Sequence, residues 1–190
     1  MTIAPEVSTK DPELPPVPDG AVIVTLKIAR FNPEDPDTSG WQSYRVPCLP
    51  SDRLLNLLHY VKWYLDGTLT FRRSCAHGVC GSDAMRINGV HRLACQVLMR
   101  DLLPRKRAGR PDKSLTITIE PIRGLPVEKD LVVNMEPFFD AYRAIKPYLM
   151  TTGNEPTRER IQSQTDRHRY ADTTKCILCA CCTTSCPVYW

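Results

Sequence analysis

Eight of the nine cysteines fall into two groups, and the tighter group, Cys176-x2-Cys179-x2-Cys182-x3-Cys186-Pro187, restricts what this chain can fold into more than any other feature. With Cys181 it crowds five thiols into residues 176–186, closer together than bridges between distant segments need. Nine is an odd count, and the first residues, MTIAPEVSTKDPELPPVPDG, show no basic region followed by an apolar one, so no export signal is expected. Thiols kept reduced and clustered are metal ligands more often than bridges. A cytoplasmic setting is the expectation.

The run has the bacterial-type spacing C-x2-C-x2-C-x3-C-P of cubic iron–sulfur clusters. In that arrangement the first three cysteines wrap one [4Fe-4S] cube and the fourth ligates a second cluster. Cys181 is surplus to the spacing and reads as a neighbour that does not ligate. A zinc knuckle is the alternative, disfavoured by five cysteines with no histidine inside the run. Two clusters need more ligands than the four this run supplies, and only Cys48 remains uncommitted. Further ligands are therefore expected beyond Trp190.

The other group is Cys75-x4-Cys80-x2-Asp83 followed by Cys95. It matches the plant-type spacing C-x4-C-x2-C…C of a [2Fe-2S] cluster, with Asp in place of the third Cys. A carboxylate is a harder but legitimate ligand for ferric iron. The alternative for Asp83 is a surface aspartate beside a three-cysteine cluster completed by water. Gly78 and Gly81 let the loop fold closely and aim N–H groups at sulfur. A cluster with four anionic ligands carries roughly −2 oxidised and −3 reduced, so Arg72 and Arg73 would favour the reduced form. Buried structural cysteines or zinc are the alternatives for the whole motif, and the x4 loop with two glycines suits zinc poorly.

Around these motifs the chain reads as α+β. Residues 1–20 form a proline-rich tail with almost no apolar periodicity. Apolar alternation predicts a strand over 22–31 and a partner over 41–46. Ser51 is placed to cap a helix carrying Leu54, Leu55, Leu57, Leu58, Val61 and Leu65, ending near Gly67. Asn88-Gly89 predicts a hairpin, and Leu115, Ile117 and Ile119 a final strand. These make one domain, 21–122, leaving at 122–126. A second region, 123–190, reads as helical over 131–150 with interruptions at Pro137 and Pro147, then polar over 151–174. There is no internal repeat.

A plant-type loop followed by a bacterial-type run is a rare pairing. FRRSCAHGVCGSD…LAC, DLVVNMEPFF…IKPYL and CILCACCTTSCPVYW together resemble the iron–sulfur subunit family of succinate dehydrogenase, over nearly everything from Ala21 on. The resemblance implies a β-grasp [2Fe-2S] domain followed by the start of a helical ferredoxin domain. It implies electrons passing from FAD on a partner flavoprotein through [2Fe-2S], [4Fe-4S] and [3Fe-4S] clusters to quinone at membrane-anchor subunits. Cys75, Cys80, Asp83 and Cys95 would hold the first cluster. Cys176, Cys179 and Cys182 would hold the second, Cys186 would give one ligand to the third, and Trp190 would lie near quinone. The expected location is peripheral, on the cytoplasmic face of a bacterial inner membrane. A fumarate reductase iron–sulfur subunit, running the same path in reverse, and a non-redox zinc-binding interaction module are the alternatives.

Composition narrows the rest. The formal charge is +4, too weak to imply nucleic acid, and no apolar stretch approaches the ~18–20 residues of a membrane span. The basic stretch RKRAGR at 105–110 is broken by Pro104, Gly109 and Pro111 and reads as a solvated loop. His59, His77 and His91 have no partner at a metal spacing. No dinucleotide loop, activated nucleophile or open metal site is recognisable, so substrate chemistry is expected on a neighbouring subunit.

Overall fold

The computed structural model describes residues 14–35, 37, 39–103, 115–151, 153 and 157–189. The stretch 105–110, the start of the proline-rich tail and Trp190 lie outside the described residues.

β1 (Val22–Arg30) carries the alternation read from the sequence, with Val24, Leu26 and Ile28 buried inward and Val22 and Ile23 exposed. β2 (Gly40–Cys48) pairs with it antiparallel over its whole length, Val24 opposite Val46 and Ile28 opposite Gln42. The hairpin of β3 (Ala84–Ile87) and β4 (Val90–Leu93) turns at Asn88 and Gly89, whose φ values of 49° and 84° are those of the favoured two-residue turn. β5 (Thr116–Glu120) then enters the middle of the sheet. It lies parallel to β1, Leu26 opposite Ile117 and Ile28 opposite Ile119, and antiparallel to β3. The order is β2-β1-β5-β3-β4, a five-stranded mixed sheet.

α1 (Leu54–Tyr60) buries Leu54, Leu55, Leu57 and Leu58 in one core with Val24, Leu26, Ile28, Met85, Ile87, Ile117 and Ile119. Each such side chain contributes about 1.5–3 kcal/mol by leaving water. The class is α+β. The helix start differs from the expectation: Arg53, not Ser51, precedes the first turn, and no side chain caps it. Its first free amides find backbone acceptors instead, Leu54 N–H donating to Val97 O at 2.9 Å and Leu55 N–H to Ala94 O at 3.2 Å. A π-helical turn, Val61–Leu65, carries the helix to Asp66.

After β5 the chain makes a small antiparallel pair, β6 (Val127–Lys129) and β7 (Val132–Val133), so the strand at 116–120 is not the last. The turn between them is tied to the sheet by Arg30. Its Nε donates to Asp130 Oδ1 at 2.9 Å and its Nη1 to Asp66 Oδ2 at 2.5 Å. Asp130, 2% exposed, also accepts the Phe31 and Thr70 amides. Burial opposes ionisation of Asp66, but hydrogen bonds from Thr68, Tyr44 and Arg30 outweigh it and hold the carboxyl well below its usual range.

The helix expected over 131–150 is shorter. α2 (Met99–Leu102) precedes β5, and α3 (Glu136–Ala144) begins rather than breaks at Pro137, because a first-turn proline lacks only an amide that would be unpaired anyway. α4 (Gln164–Tyr170) is capped by Ser163, whose Oγ accepts the Asp166 amide at 3.1 Å. α5 (Cys181–Ser185) lies inside the second cysteine run. A second apolar cluster, Ile122, Leu125, Val133 and Ala180 with Ala84, Met135, Phe138 and Cys181, packs that run onto the base of the β3–β4 hairpin. Among the described residues, no helix is long and apolar enough to cross a membrane.

Candidate metal centre

The hairpin is bracketed by two of the candidate ligands, Asp83 just before β3 and Cys95 just after β4. Cys95 is held from behind: Arg53 Nη1 donates to its carbonyl at 2.6 Å, and the flanking Ala94 and Val97 carbonyls receive the first amides of α1. Asp83 is 2% exposed, so it is not a surface aspartate. Its Oδ2 accepts the Cys95 amide at 2.5 Å and its Oδ1 faces the Cys95 thiol at 3.3 Å. Burial, then the contact with Asp83, pushes the Cys95 thiol up to about 12.

Cys75 and Cys80 stand on the facing loop, at the solvent side. Cys75 Sγ accepts N–H groups from His77 at 3.3 Å and from Cys80 at 3.4 Å. The His77 amide first, then the Cys80 side chain and the Val79 and Cys80 amides, lower the Cys75 thiol to about 6. Cys80 Sγ lies 3.1 Å from Ser82 Oγ. The loop achieves this through left-handed residues at Ala76, Gly78 and Gly81, with φ of 58°, 77° and 70°. Ala76 there costs about 1–2 kcal/mol, the kind of local strain that gathers at functional sites.

The four candidates thus form two neighbouring pairs, Cys75 with Cys80 and Asp83 with Cys95. Two pairs suit a two-iron core, which takes two ligands at each metal. The donor chemistry fits as well, one pair holding a thiol drawn towards its anion and the other a buried thiol–carboxylate contact whose proton a cationic core would replace.

The second run places Cys176 exposed, Cys179 and Cys186 half-buried and Cys182 exposed. Leu178 and Ala180 are left-handed, at φ 57° and 61°, and Cys176 Sγ accepts the Leu178 amide at 3.4 Å. Cys181 turns the other way, into the apolar cluster, where burial first and then Cys179 push its thiol up to about 12. The two runs touch. A Cβ built on Gly81 would stand 2.7 Å from Cys179 Cβ and 3.2 Å from Ile177 O. A cavity of about 390 Å³, lined by Cys80, Gly81, Leu178 and Cys179 together with Met135 and Phe139 of the α3 region, opens beside that contact.

Sequence reasoning missed Gln96. Its Nε2 donates to His77 O at 3.0 Å and its side chain fills the space a Cβ on Gly78 would take, so it braces the loop between Cys75 and Cys80. Its position next to Cys95 was the only signal. Arg72, expected with Arg73 to act on the cluster's charge, is exposed and lies 3.7 Å from Glu128.

The domain family described as "2Fe-2S iron-sulfur cluster binding domain" matches residues 25–140. The succinate dehydrogenase iron-sulfur subunit of Coxiella burnetii is 40% identical over 169 residues, covering 88% of this chain and 67% of that protein. The chain belongs to this family. The mitochondrial succinate dehydrogenase [ubiquinone] iron-sulfur subunit of Candida glabrata is also 40% identical, over 87% of this chain and 63% of its own length. A chain of the Mycobacterium smegmatis Sdh1 complex in the apo form superposes with a TM-score of 0.73 at 25% identity, covering 90% of this chain and 66% of that one. The chain therefore spans about two thirds of the length of its relatives. As a succinate dehydrogenase iron–sulfur subunit it belongs to the electron-transferring part of an oxidoreductase complex.

Proposed function

We propose that this succinate dehydrogenase iron–sulfur chain relays single electrons from the reduced FAD of a partner flavoprotein towards quinone, and performs no bond chemistry itself. Cys75, Cys80, Asp83 and Cys95 hold a [2Fe-2S] cluster. Cys176, Cys179 and Cys182 supply three ligands to a [4Fe-4S] cluster and Cys186 one to a [3Fe-4S] cluster. Residues 21–122 and 123–190 divide between the two ferredoxin types, and membrane-anchor subunits hold the chain at the cytoplasmic face of a bacterial inner membrane.

Bound clusters supply reversible one-electron chemistry; the chain holds, insulates and spaces them. Buried Asp83 and Cys95 form the inner wall of the first site and exposed Cys80 its outer edge. The amides aimed at Cys75 Sγ stabilise added negative charge, which favours the reduced state. The observation that carries the relay reading is the contact of Gly81 with Cys179, which brings the two ligand-bearing segments together without an intervening side chain.

The reading is tested with Cys186→Ala in the assembled complex. Succinate-driven quinone reduction is expected to be lost, while succinate oxidation with an artificial dye that accepts electrons upstream survives in part. Unchanged quinone reduction would take Cys186 off the path and contradict the proposal.

A further inference from the structure

His91 stands in the middle of β4, between the two candidate ligands that bracket the hairpin, and its side chain leaves the sheet towards the second cysteine run. Its Nδ1 lies 2.9 Å from Ser185 Oγ and 3.4 Å from Thr184 Oγ1, both on α5. On the other side, the Arg123 amide donates to Nε2 at 3.4 Å. An amide can only donate, so Nε2 carries the lone pair and the ring proton sits on Nδ1, directed at the two hydroxyls. Thr184, 1% exposed, has its own hydroxyl proton committed to the Ala180 carbonyl at 3.0 Å, which leaves its oxygen free to accept.

We infer that His91 is a positioning residue, a neutral Nδ1–H imidazole that fixes α5, and with it Cys182 and Cys186, at a set distance from the hairpin carrying Asp83 and Cys95. The inference rests on the reading that both segments hold clusters, and it names the side chain that sets their spacing beyond the backbone contact at Gly81. The surroundings keep the ring neutral. Burial first, then the charges of Arg86 directly across the hairpin and of Arg123, hold its pKa below the ordinary histidine value, against a smaller opposing effect of Glu120. Glu120 pairs with Arg86 and, at 3.5 Å, with Arg123, so both arginines are fixed beside the imidazole. A protonated ring would point a second N–H at the Arg123 amide and break the junction on that side. Three segments, β4, the stretch after β5 and α5, therefore meet at one side chain.

Two measurements test it, one of them without any cluster. In the full chain, long-range ring 15N–1H spectra are expected to show His91 as the Nδ1–H tautomer at pH 7.5; the Nε2–H tautomer or an imidazolium would overturn the assignment. His91→Leu is expected to speed amide exchange at Thr184 and Cys186 about tenfold, with the β1 core amides unchanged, and His91→Asn, which places an N–H where Nδ1–H stands, to restore protection. Unchanged exchange at Thr184 and Cys186 in the Leu variant would overturn it. If the Leu variant unfolds, the tautomer and the Asn variant decide.

In the assembled complex, the reduced [2Fe-2S] EPR signal is expected to saturate at lower microwave power in His91→Leu, because a more distant second paramagnet relaxes it less, and to return to the unmodified value in His91→Asn. Identical saturation in all three would show that His91 does not set the spacing. Should the unmodified complex show no relaxation enhancement while the tautomer and exchange results hold, the two-cluster reading fails and the junction stands.

Discussion

At the scale of single residues, the candidate centre is organised by where protons sit. Cys75 is drawn towards thiolate by the amides aimed at it, whereas Cys95 keeps its proton against Asp83 in a buried pocket. Iron bound by Asp83 and Cys95 would therefore displace a proton from this pair. His59 poses a different problem: both ring nitrogens are shielded and have no hydrogen-bond partner among the described residues, while the ring stacks on Trp63 at 4.7 Å and meets Phe71 edge-on at 5.1 Å. Burial, then Arg73 and Lys62, lower its pKa from 6.5, so the unfolded chain binds the proton better. The sign follows: stability is full above pH about 6.5 and declines as pH falls below it. His59→Phe keeps the aromatic contacts and removes the unpaired nitrogens. It is expected to raise stability by about 1 kcal/mol and to flatten the decline between pH 7 and 5, checked by urea unfolding at several pH values. Equal slopes for both proteins would contradict this account of His59.

At the scale of elements, what the sequence disclosed was what is local in it. The alternation of β1 and the Asn88-Gly89 turn are each set by neighbours along the chain, and the structure has both at the residues that signal them. Local reading could not show that β5 enters the centre of the sheet, or that α1 begins on the Val97 and Ala94 carbonyls instead of on Ser51. Gln96, Asp130 and His91 escaped for the same reason, since their partners lie 19, 100 and 94 residues away or more than one element off. Pro137 misled because proline breaks a helix interior but suits its first turn. Gly81 was read as allowing a tight loop; its larger role is to admit Cys179. Gly81→Ala adds a methyl against Cys179 Cβ at a left-handed position, so a loss of about 2–4 kcal/mol is expected in equilibrium unfolding. A change below about 0.5 kcal/mol would mean that the two runs do not press together there.

At the scale of the whole molecule, one sheet-and-helix core supports two cysteine-bearing loops, and the loops meet each other at Gly81 and Cys179 instead of standing apart. The inner pair of the first site grows out of the core through Asp83 and Cys95, both buried, while the outer pair faces solvent. The second run is carried by a thin apolar cluster and by His91, so its position depends on the first domain region more than on its own packing. The central claim is that the first site holds a two-iron cluster. Its most direct test is low-temperature EPR of the full chain after anaerobic reconstitution with iron and sulfide and reduction with dithionite. A rhombic signal of a reduced [2Fe-2S] cluster, lost in Cys75→Ala, is the expected result. A chain that gives no such signal and instead retains zinc at the same cysteines would contradict the account.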